Sequence, residues 1–371
     1  MTRRTYSDDE IRAALEASRG NIAATARALG ANERSLRRRL KAMAGEQEAP
    51  DGFVVTGKST LIDRRTGETV LEWVKISRDA WRQAEMLREV AEALASELPR
   101  ERPAKAPETG DADLLNCFVV TDYHLGMYSW AEETGDDWDT DIAEGLLVDW
   151  FAAAIRSAPN ADTAIFAQLG DFLHWDGMDA VTPASKHLLD ADTRFQRLVR
   201  VAIRAIRRIV RMLLEKHRHV HLIMAEGNHD PASSIWLREL IAALYEDEPR
   251  VSIDKSADPY YCYEWGKTSL FFHHGHKRKP TNIDDVFVGK FRQVFGRTKY
   301  SYAHMGHMHH LQALETNLMV VEQHRTLASP DAYASRGGWM SGRSASVITY
   351  SREFGEVGRV IISPEMVKAA T

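Results

Sequence analysis

The stretch LLNCFVVTDYH, residues 114–124, ends an apolar run abruptly in a carboxylate and an imidazole. A short apolar run that stops in this way is typical of a buried β-strand. Four later runs repeat the pattern: TAIFAQL is followed by Gly170 and Asp171, VHLIMAE by residues 227–230, SLFF by residues 273–276, and YAHM by residues 306–309. Such strands indicate an α/β or layered sheet whose active site lies in the loops at one edge.

The surrounding sequence agrees with a layered fold. A helical segment over residues 190–218 lies between two of the runs. Residues 345–363 predict a hairpin that turns at Phe354-Gly355-Glu356. This strand-rich half of the chain favours two packed sheets.

Composition limits the class of protein. A chain of 371 residues is long enough for two or three units, and a hydrophobic share of 44% supplies a sizeable core. The formal net charge of -5 gives no overall attraction to nucleic acid, so any basic site must be local. Two cysteines without a CxxC spacing argue against a disulfide framework or a cysteine-rich zinc site. Because no apolar leader or membrane-length run is present, we expect a soluble, cytoplasmic protein with no membrane partner.

Residues 1–45 predict a small all-α domain. Ser7 is placed to cap a first helix, with Glu10 as its capping-box partner. Gly20 and Asn21 break this helix, and a second short helix stops at Gly30. Two short helices joined by a glycine-bearing turn are typical of a helix-turn-helix.

A third helix, capped by Asn32, carries the candidate DNA contacts, which are Arg34, Ser35, Arg37, Arg38, Arg39 and Lys41. Basic residues concentrated on the helix that this motif inserts favour contacts to phosphates and base edges in the major groove. The alternative is a helical bundle whose charged face is only solvated. The pattern resembles the Fis-type helix-turn-helix. Because a single copy would bind DNA weakly, a homodimer or a second DNA contact is implied.

Residues 46–112 form the next predicted unit. Residues 59–77 predict a β-hairpin that turns at Thr66-Gly67, and residues 79–100 predict an amphipathic helix. The polar, proline-bearing residues 101–113 are typical of a linker. The third predicted unit, residues 113–371, contains all five strand-end motifs.

The residues after these strands have the chemistry of metal ligands. Asp122 and His124 are close enough on a turn to reach one ion, and the hard carboxylate of Asp171 can bridge two ions. His307 and His309 are two residues apart, so on extended backbone they would share one side and could each bind a different ion, and Asn228 can add an amide oxygen. Any pair alone is weak support, because a lone buried histidine is commonly a hydrogen-bonded core residue. Five such clusters form a much stronger signal.

The order of the clusters, D-x-H, G-D, G-N-H-[DE], H-G-H and G-H-x-H, resembles the calcineurin-like metallophosphoesterase superfamily over roughly Cys117 to Ser363. The resemblance implies a four-layer αββα sandwich and two divalent metal ions, with Mn²⁺ favoured and Fe or Zn as alternatives. One ion would take Asp122, His124, Asp171 and His309, and the other would take Asp171, Asn228, His274 and His307. Asp171 would therefore bridge the two ions. His274 is preferred over His273 because it begins the HGH triplet.

The resemblance also implies the reaction. Two cations about 3.5–4 Å apart can deprotonate a bridging water, and the hydroxide then attacks a phosphate ester. His229 would face the scissile phosphate and stabilise the transition state or protonate the leaving group, and Asp230 would orient it.

The attached helix-turn-helix and the basic residues Lys277, Arg278 and Lys279 favour DNA as the substrate, which makes the enzyme a phosphodiesterase of nuclease type. His174 is a further candidate to face substrate, with a hydrogen bond to a loop as the alternative. A helical series of arginines gives weaker support, and its members are Arg197, Arg200, Arg204, Arg207, Arg208 and Arg211.

Two other functions are compatible with the sequence. One is a phosphomonoesterase or protein phosphatase that DNA binding localises, and the other is a DNA-binding regulator with a structural metal site. The architecture also resembles proteins encoded in phage and prophage genomes. The acidic insert 132–145 is a lid, a partner surface or, as we expect, a solvated loop. For His304 and His310, which exceed the motif, we expect partly exposed polar positions.

Overall fold

The computed structural model describes residues 7–18, 22–31, 36, 53–62, 69–78, 100–108 and 110–369. The chain forms two compact units, Met1–Met86 and Leu87–Thr371. The finer division of the chain at residues 45 and 112 stays a prediction.

Two helices of the smaller unit are those that the sequence predicts, α1 (Asp8–Ala17) and α2 (Ile22–Leu29). The Glu10 N–H donates to Ser7 Oγ at 3.2 Å and the Ser7 N–H donates to Glu10 Oε2 at 2.7 Å, so the capping box is confirmed. Ile11 and Ala26 pack with Leu36 in a small apolar cluster. The predicted DNA contacts lie outside the described residues, and they are Arg34, Ser35, Arg37, Arg38, Arg39 and Lys41.

The predicted hairpin is also present in this unit. Strands β1 (Phe53–Ile62) and β2 (Thr69–Arg78) pair antiparallel, with Phe53 opposite Arg78 and Ile62 opposite Thr69. The first strand begins at Phe53 rather than at residue 59. The predicted turn at Thr66-Gly67 and residues 79–99 of the predicted helix lie outside the described residues.

The larger unit contains a six-stranded sheet in the order β13-β12-β3-β4-β5-β6. Its strands are β3 (Asp111–Val120), β4 (Ala161–Gln168), β5 (His219–Met224), β6 (Val251–Ile253), β12 (Ala345–Ser351) and β13 (Gly355–Ile362). β3 to β6 are mutually parallel, while β12 is antiparallel to both β3 and β13. The predicted C-terminal hairpin is therefore confirmed as β12 and β13.

A second, five-stranded sheet has the order β10-β11-β9-β8-β7. Its strands are β7 (Tyr261–Trp265), β8 (Thr268–His273), β9 (Tyr300–Met305), β10 (Gln312–Glu315) and β11 (Val320–Gln323). β8, β9 and β11 are parallel, and an antiparallel strand lies at each edge. Both sheets therefore have a parallel centre.

The two sheets pack face to face between two helical layers. Along β3, Cys117 and Val119 point to the other sheet while Phe118 and Val120 point to helices, because side chains alternate along a strand. Helices α4 (Thr140–Ser157), α5 (Phe195–Lys216), α6 (Pro231–Leu244) and α10 (Pro364–Lys368) contribute to the core that covers the six-stranded sheet. Helices α7 (Asp284–Lys290) and α8 (Arg292–Arg297) cover the other sheet. The predicted four-layer αββα sandwich is confirmed.

Three short elements complete the described secondary structure, namely α3 (Ala131–Thr134), a 3-10 turn at Pro280–Asn282 and α9 (Ala332–Gly337). Within the described ranges, none of the helices combines the length and apolar character that a bilayer crossing needs.

Residues 100–108, which include most of the predicted linker, lie along the surface of the larger unit. The Glu101 N–H donates to the Leu244 carbonyl at 2.9 Å, and the Ala104 N–H donates to the Glu248 carboxylate at 2.7 Å. The Glu101 carboxylate also pairs with Arg207 of α5. The polar sequence suits an extended segment whose backbone groups find partners on this surface.

Candidate metal centre

The seven predicted ligands all lie beyond the carboxyl ends of strands. Asp122 and His124 follow β3, Asp171 follows β4, Asn228 follows β5, His274 follows β8, and His307 and His309 follow β9. Because β3, β4 and β5 run parallel, as do β8 and β9, each sheet brings its ligands to one edge.

The donor atoms form two adjoining groups. In the first group, His309 Nε2 lies 3.2 Å from Asp122 Oδ1 and 3.4 Å from His124 Nε2. In the second group, His274 Nε2 lies 3.2 Å from Asp171 Oδ2 and 3.1 Å from Asn228 Oδ1. The structure thus brings together the residues that the motifs predict.

Asp122 is the carboxylate that belongs to both groups. Donor atoms of Asp122, Asp171, His274 and His307 lie within 4.8 Å of one another, and Asp122 also groups with His124 and His309. Asp171 lies in the second group, and its charge is close enough to act on His124. The bridging role of Asp171 stays a prediction.

Five of the seven residues have left-handed backbone. The φ angles are 49° at Asp122, 48° at His124, 51° at Asp171, 77° at His307 and 55° at His309. The alternating extended backbone expected at His307 and His309 is therefore wrong. Non-glycine residues in this region cost roughly 1–3 kcal/mol each and persist where the surroundings impose them, commonly at functional sites.

Ligand oxygens also hold neighbouring loops in place. The His307 N–H donates to Asp122 Oδ2 at 2.8 Å, and the His229 N–H donates to Asp171 Oδ1 at 2.7 Å. These contacts account for a glycine in two motifs. A Cβ on Gly227 would lie 1.9 Å from Asp171 Oδ1, and a Cβ on Gly306 would lie 1.8 Å from Thr121 Oγ1.

The carboxylates and imidazoles of the centre shift one another's pKa. Burial raises the pKa of the Asp122 carboxyl, but the nearby rings of His309 and His274 lower it below its usual range. Burial lowers the pKa of His274, but Asp171 and Asp122 raise it to about 9. The two carboxylates therefore favour positive charge at this position.

The geometry separates His274 from His273. His274 Nδ1 lies 2.9 Å from the Leu169 carbonyl, which directs Nε2 at Asp171 and Asn228. The His273 ring stacks on Tyr260 at 4.4 Å, and its Nδ1 accepts a hydrogen bond from the Gly275 N–H. His274 thus joins the donor group, as the sequence predicts.

His229 lies beside the first group, with its ring 4.8 Å from the ring of His124. Its Nδ1 lies 2.9 Å from the His174 carbonyl, so a backbone carbonyl orients the ring. The prediction that Asp230 does so is wrong. The Asp230 carboxylate accepts the N–H groups of Gly227 and Leu173 at 3.0 Å, and burial and Asp171 raise its pKa to about 7.

His174 is buried within the same cluster. Its Nδ1 lies 3.2 Å from His124 Nδ1, and its ring stacks on His229 at 5.6 Å between centroids. Burial lowers the pKa of His174 to about 3, so the ring is neutral. His174 therefore contacts two of the predicted site residues, beyond the loop contact that the sequence offered as an alternative.

Sequence reasoning missed two threonines that support Asp122. Thr121 Oγ1 donates to Asp122 Oδ2 at 2.6 Å, and Thr326 Oγ1 donates to the Asp122 carbonyl at 2.7 Å. Thr121 stands next to a ligand in the D-x-H motif, which is the signal that could have found it. Thr326 is 204 residues away along the chain and gives no local signal.

The expectation for His304 is also wrong. This residue is fully buried between the sheets, and its nitrogens lie 2.9 Å from His324 Nε2 and 2.9 Å from Tyr350 Oη. Glu322 completes the cluster and is paired with Arg359. His310 is exposed, in agreement with the sequence.

Two members of the arginine series pair with the acidic insert. Arg197 binds Asp141 at 2.7 Å, and Arg204 binds Glu144. Arg207 and Arg211 share the Glu101 carboxylate instead. Two further acids of the insert, Glu133 and Asp136, pair with Arg336 and Arg343. The insert is therefore a segment held by ion pairs, and four of the six arginines have an acidic partner.

The basic residues after His276 differ from most of the arginine series in their lack of acidic partners among the described residues. Lys277, Arg278 and Lys279 are exposed and form no ion pair within the part of the chain that the structure describes. Together with the exposed Arg200 and Arg208, they are the basic candidates without an ion pair among the described residues.

The donor set fits two divalent cations. Asp122 Oδ1 is buried and makes no well-directed hydrogen bond to a described residue, although imidazole nitrogens face it. Carboxylate, imidazole and amide donors suit Mn²⁺, Fe and Zn. A histidine whose second nitrogen is held by a carbonyl, as in His274, is also typical of metal ligands.

The αββα sandwich is the fold that the resemblance to calcineurin-like metallophosphoesterases implies, and its strand ends carry the five motifs in the order of that resemblance. The N-terminal segment is of a different kind, because residues 3–43 match the model of the family described as bacterial regulatory proteins of the Fis family. A search of curated proteins gave no match.

Solved structures similar to this chain include the following three, which are at most 13% identical to it. A predicted phosphoesterase from Streptococcus pneumoniae is 12% identical, with 68% of this chain and 99% of that chain covered and a TM-score of 0.30. An archaeal phosphodiesterase is 13% identical, with 67% and 99% covered and a TM-score of 0.33. PhoD is 10% identical, with 85% and 83% covered and a TM-score of 0.34.

Proposed function

We propose that this protein is a phosphodiesterase that depends on divalent metal and acts on DNA. The proposal rests on one observation, the convergence of seven ligand-type residues from five strand ends, five of them on left-handed backbone. When bound, two divalent cations supply Lewis acidity to a phosphoryl group and lower the pKa of water. The residues that would hold them are Asp122, His124, Asp171, Asn228, His274, His307 and His309.

His229 is the proposed proton donor to the leaving oxygen. Its Nδ1 donates to the His174 carbonyl, which leaves Nε2 for the substrate. A positioned general acid contributes roughly 10²–10⁴-fold to the rate. His174, stacked on His229, fixes the position of that ring and lies close enough to the cluster to face substrate.

Two features support DNA as the substrate. The first is the Fis-family match, which we take as a DNA-binding segment. The second is the exposed, unpaired loop Lys277–Lys279, which follows His274 and can neutralise backbone phosphates.

Access to the centre supports an enzyme rather than a regulator with a structural metal. Structural metal sites are closed by protein ligands. Here the His309 side chain is 40% exposed, and His307 and His229 are only partly buried. A substrate can therefore reach the first donor group.

The test compares ester classes with the purified full-length protein and Mn²⁺. Bis-p-nitrophenyl phosphate is a diester, and p-nitrophenyl phosphate is the matched monoester. We expect hydrolysis of the diester and of linear DNA, with both lost in EDTA. Preference for the monoester would make the protein a phosphomonoesterase, and inactivity with metal bound would leave only the regulator.

A further inference from the structure

Four large aromatic side chains stand exposed on two segments that follow β3 and β11. They are called the aromatic rim here and are between 48% and 72% exposed. The rim consists of Tyr128, Trp130, Tyr333 and Trp339. Tyr128 and Trp130 follow the D-x-H motif, and the other two lie in the segment after β11. Ser129 Oγ donates to the Pro330 carbonyl at 2.8 Å, which joins the two segments. Exposed apolar groups that cluster in this way mark binding sites more often than random surface.

The rim borders both a pocket and the first donor group. Tyr128 and Trp130 line a pocket of about 410 Å³ with Glu133, Asp190 and Ala332. The Met127 N–H donates to the carbonyl of His124, so Tyr128 comes one residue after a loop that closes on a predicted ligand. Asp331, the neighbour of the pocket residue Ala332, lies close enough to His309 for its charge to act on that ring.

The polar groups of the pocket suit a base better than a phosphate. Glu133 is already paired with Arg336 at 2.7 Å. Asp190 is exposed and can accept hydrogen bonds from the amino groups of a base. Phosphates would be repelled here and attracted to Lys277, Arg278 and Lys279, which are exposed and have no ion pair among the described residues.

We propose that the aromatic rim stacks on unpaired bases next to the scissile phosphate, so that the preferred substrate is a single-stranded stretch or end of DNA. Bases inside a duplex are already stacked and paired, so their faces are closed to Tyr128 and Trp130. Aromatic side chains combined with a basic groove are the usual means of holding single strands. This inference rests on the proposed phosphodiesterase function.

The test uses the full-length protein with Mn²⁺ and four substrates. They are an unstructured single-stranded oligonucleotide, the same oligonucleotide with abasic sugars, its blunt duplex, and bis-p-nitrophenyl phosphate. The variants are Trp130→Ala and Trp130→Phe. Phe354→Ala is the matched control, because Phe354 is also an exposed aromatic residue but lies beyond Ser351, which pairs with Leu114 at the opposite end of β3.

We expect the wild type to cleave the single strand faster than the duplex or the abasic strand. Loss of one stacked base costs about 1–3 kcal/mol, so Trp130→Ala should lower kcat/KM for the single strand, relative to bis-p-nitrophenyl phosphate, by roughly 5–100-fold. Trp130→Phe should restore most of it, and Phe354→Ala should match the wild type. Anisotropy of the labelled strand in EDTA should show the same order of affinities without catalysis.

Three outcomes would overturn the inference. Equal cleavage of normal and abasic strands, a preference for blunt duplex, or wild-type ratios in Trp130→Ala would each exclude base stacking while diester hydrolysis stands. If neither bis-p-nitrophenyl phosphate nor any DNA is cleaved, the proposed function itself fails.

Discussion

At the scale of single residues, His229 is the proposed catalytic group that is not also a predicted metal ligand. His229 lies beside the donor groups, and its Nδ1 is held by a carbonyl. Its backbone contributes to the centre through Asp171, and its ring is left for chemistry.

His229→Asn should retain metal and lose most turnover. We expect kcat for bis-p-nitrophenyl phosphate to fall by roughly 10²–10⁴-fold because the general acid is gone. Elemental analysis should find the wild-type metal content. His310→Asn is the control, since His310 is exposed and its ring contacts only the nearby Met308 carbonyl among described residues. Full turnover with full metal would remove His229 from the mechanism.

The two buried carboxylates can be compared directly. Asp122→Asn should lower the binding of both ions because Asp122 belongs to both donor groups. Asp171→Asn should do the same if Asp171 bridges, as the motif resemblance implies. Metal titration by calorimetry gives the stoichiometry of each variant. An unchanged count of two in Asp171→Asn would contradict bridging by that residue.

At the scale of elements, the loops after the strands are held close together by glycine. Gly306→Ala places a methyl group 1.8 Å from Thr121 Oγ1, so the loop after β9 must move away from β3. We expect a loss of about 1–3 kcal/mol in the free energy of unfolding, and weaker metal binding. Urea denaturation and metal titration measure the two effects.

Gly145→Ala is the matched control for this change. Gly145 lies inside α4, and an added Cβ there meets no atom within 4 Å. A gain of roughly 0.5–1 kcal/mol is expected because alanine loses less entropy than glycine in a helix. A Gly306→Ala protein as stable and as metal-rich as Gly145→Ala would show that the tight approach of the loops is unimportant.

The buried cluster between the sheets predicts a pH dependence of stability. Burial raises the pKa of Glu322, but His324 and Arg359 lower it from 4.5 to about 2. Because the folded-state pKa is the lower one, the stabilisation is complete above pH 4.5 and is lost as the pH falls toward 2.

Glu322→Gln tests this directly. The difference in unfolding free energy between wild type and variant should shrink by about 2 kcal/mol between pH 7 and pH 3. Urea denaturation at both pH values measures it. Glu353→Gln, which changes an exposed acid, should show no such convergence. A constant difference between wild type and Glu322→Gln would contradict the lowered pKa.

At the scale of the whole molecule, the N-terminal segment should contribute to DNA affinity. Arg37→Ala with Arg38→Ala should weaken duplex binding at all sequences. The log–log slope of affinity against salt should flatten by about 0.9 for each phosphate that the variant no longer neutralises. Fluorescence anisotropy over a range of salt concentrations measures this, with Arg102→Ala as a control outside the segment. An unchanged slope would leave the basic residues without a role in DNA binding.

The sequence predicts the strands and the ligands because both are encoded locally. Each ligand sits within four residues of an apolar run, and parallel strands bring such ends together without further information. The errors share a different cause. They concern contacts between residues that are distant in sequence and that tertiary packing brings together. Examples are the contacts of Asp230, the burial of His304, the pairing of Arg204 with Glu144, and the support of Asp122 by Thr326.

The hydrogen bonds from His307 to Asp122 and from His229 to Asp171 have an evolutionary consequence. Each acid shapes the loop that presents another motif, so replacing one acid disturbs groups that were never mutated. Once one acid is lost, selection no longer preserves the remaining motifs of the centre. Related proteins that have lost the proposed hydrolase activity should therefore lack several of the motifs together rather than a single residue.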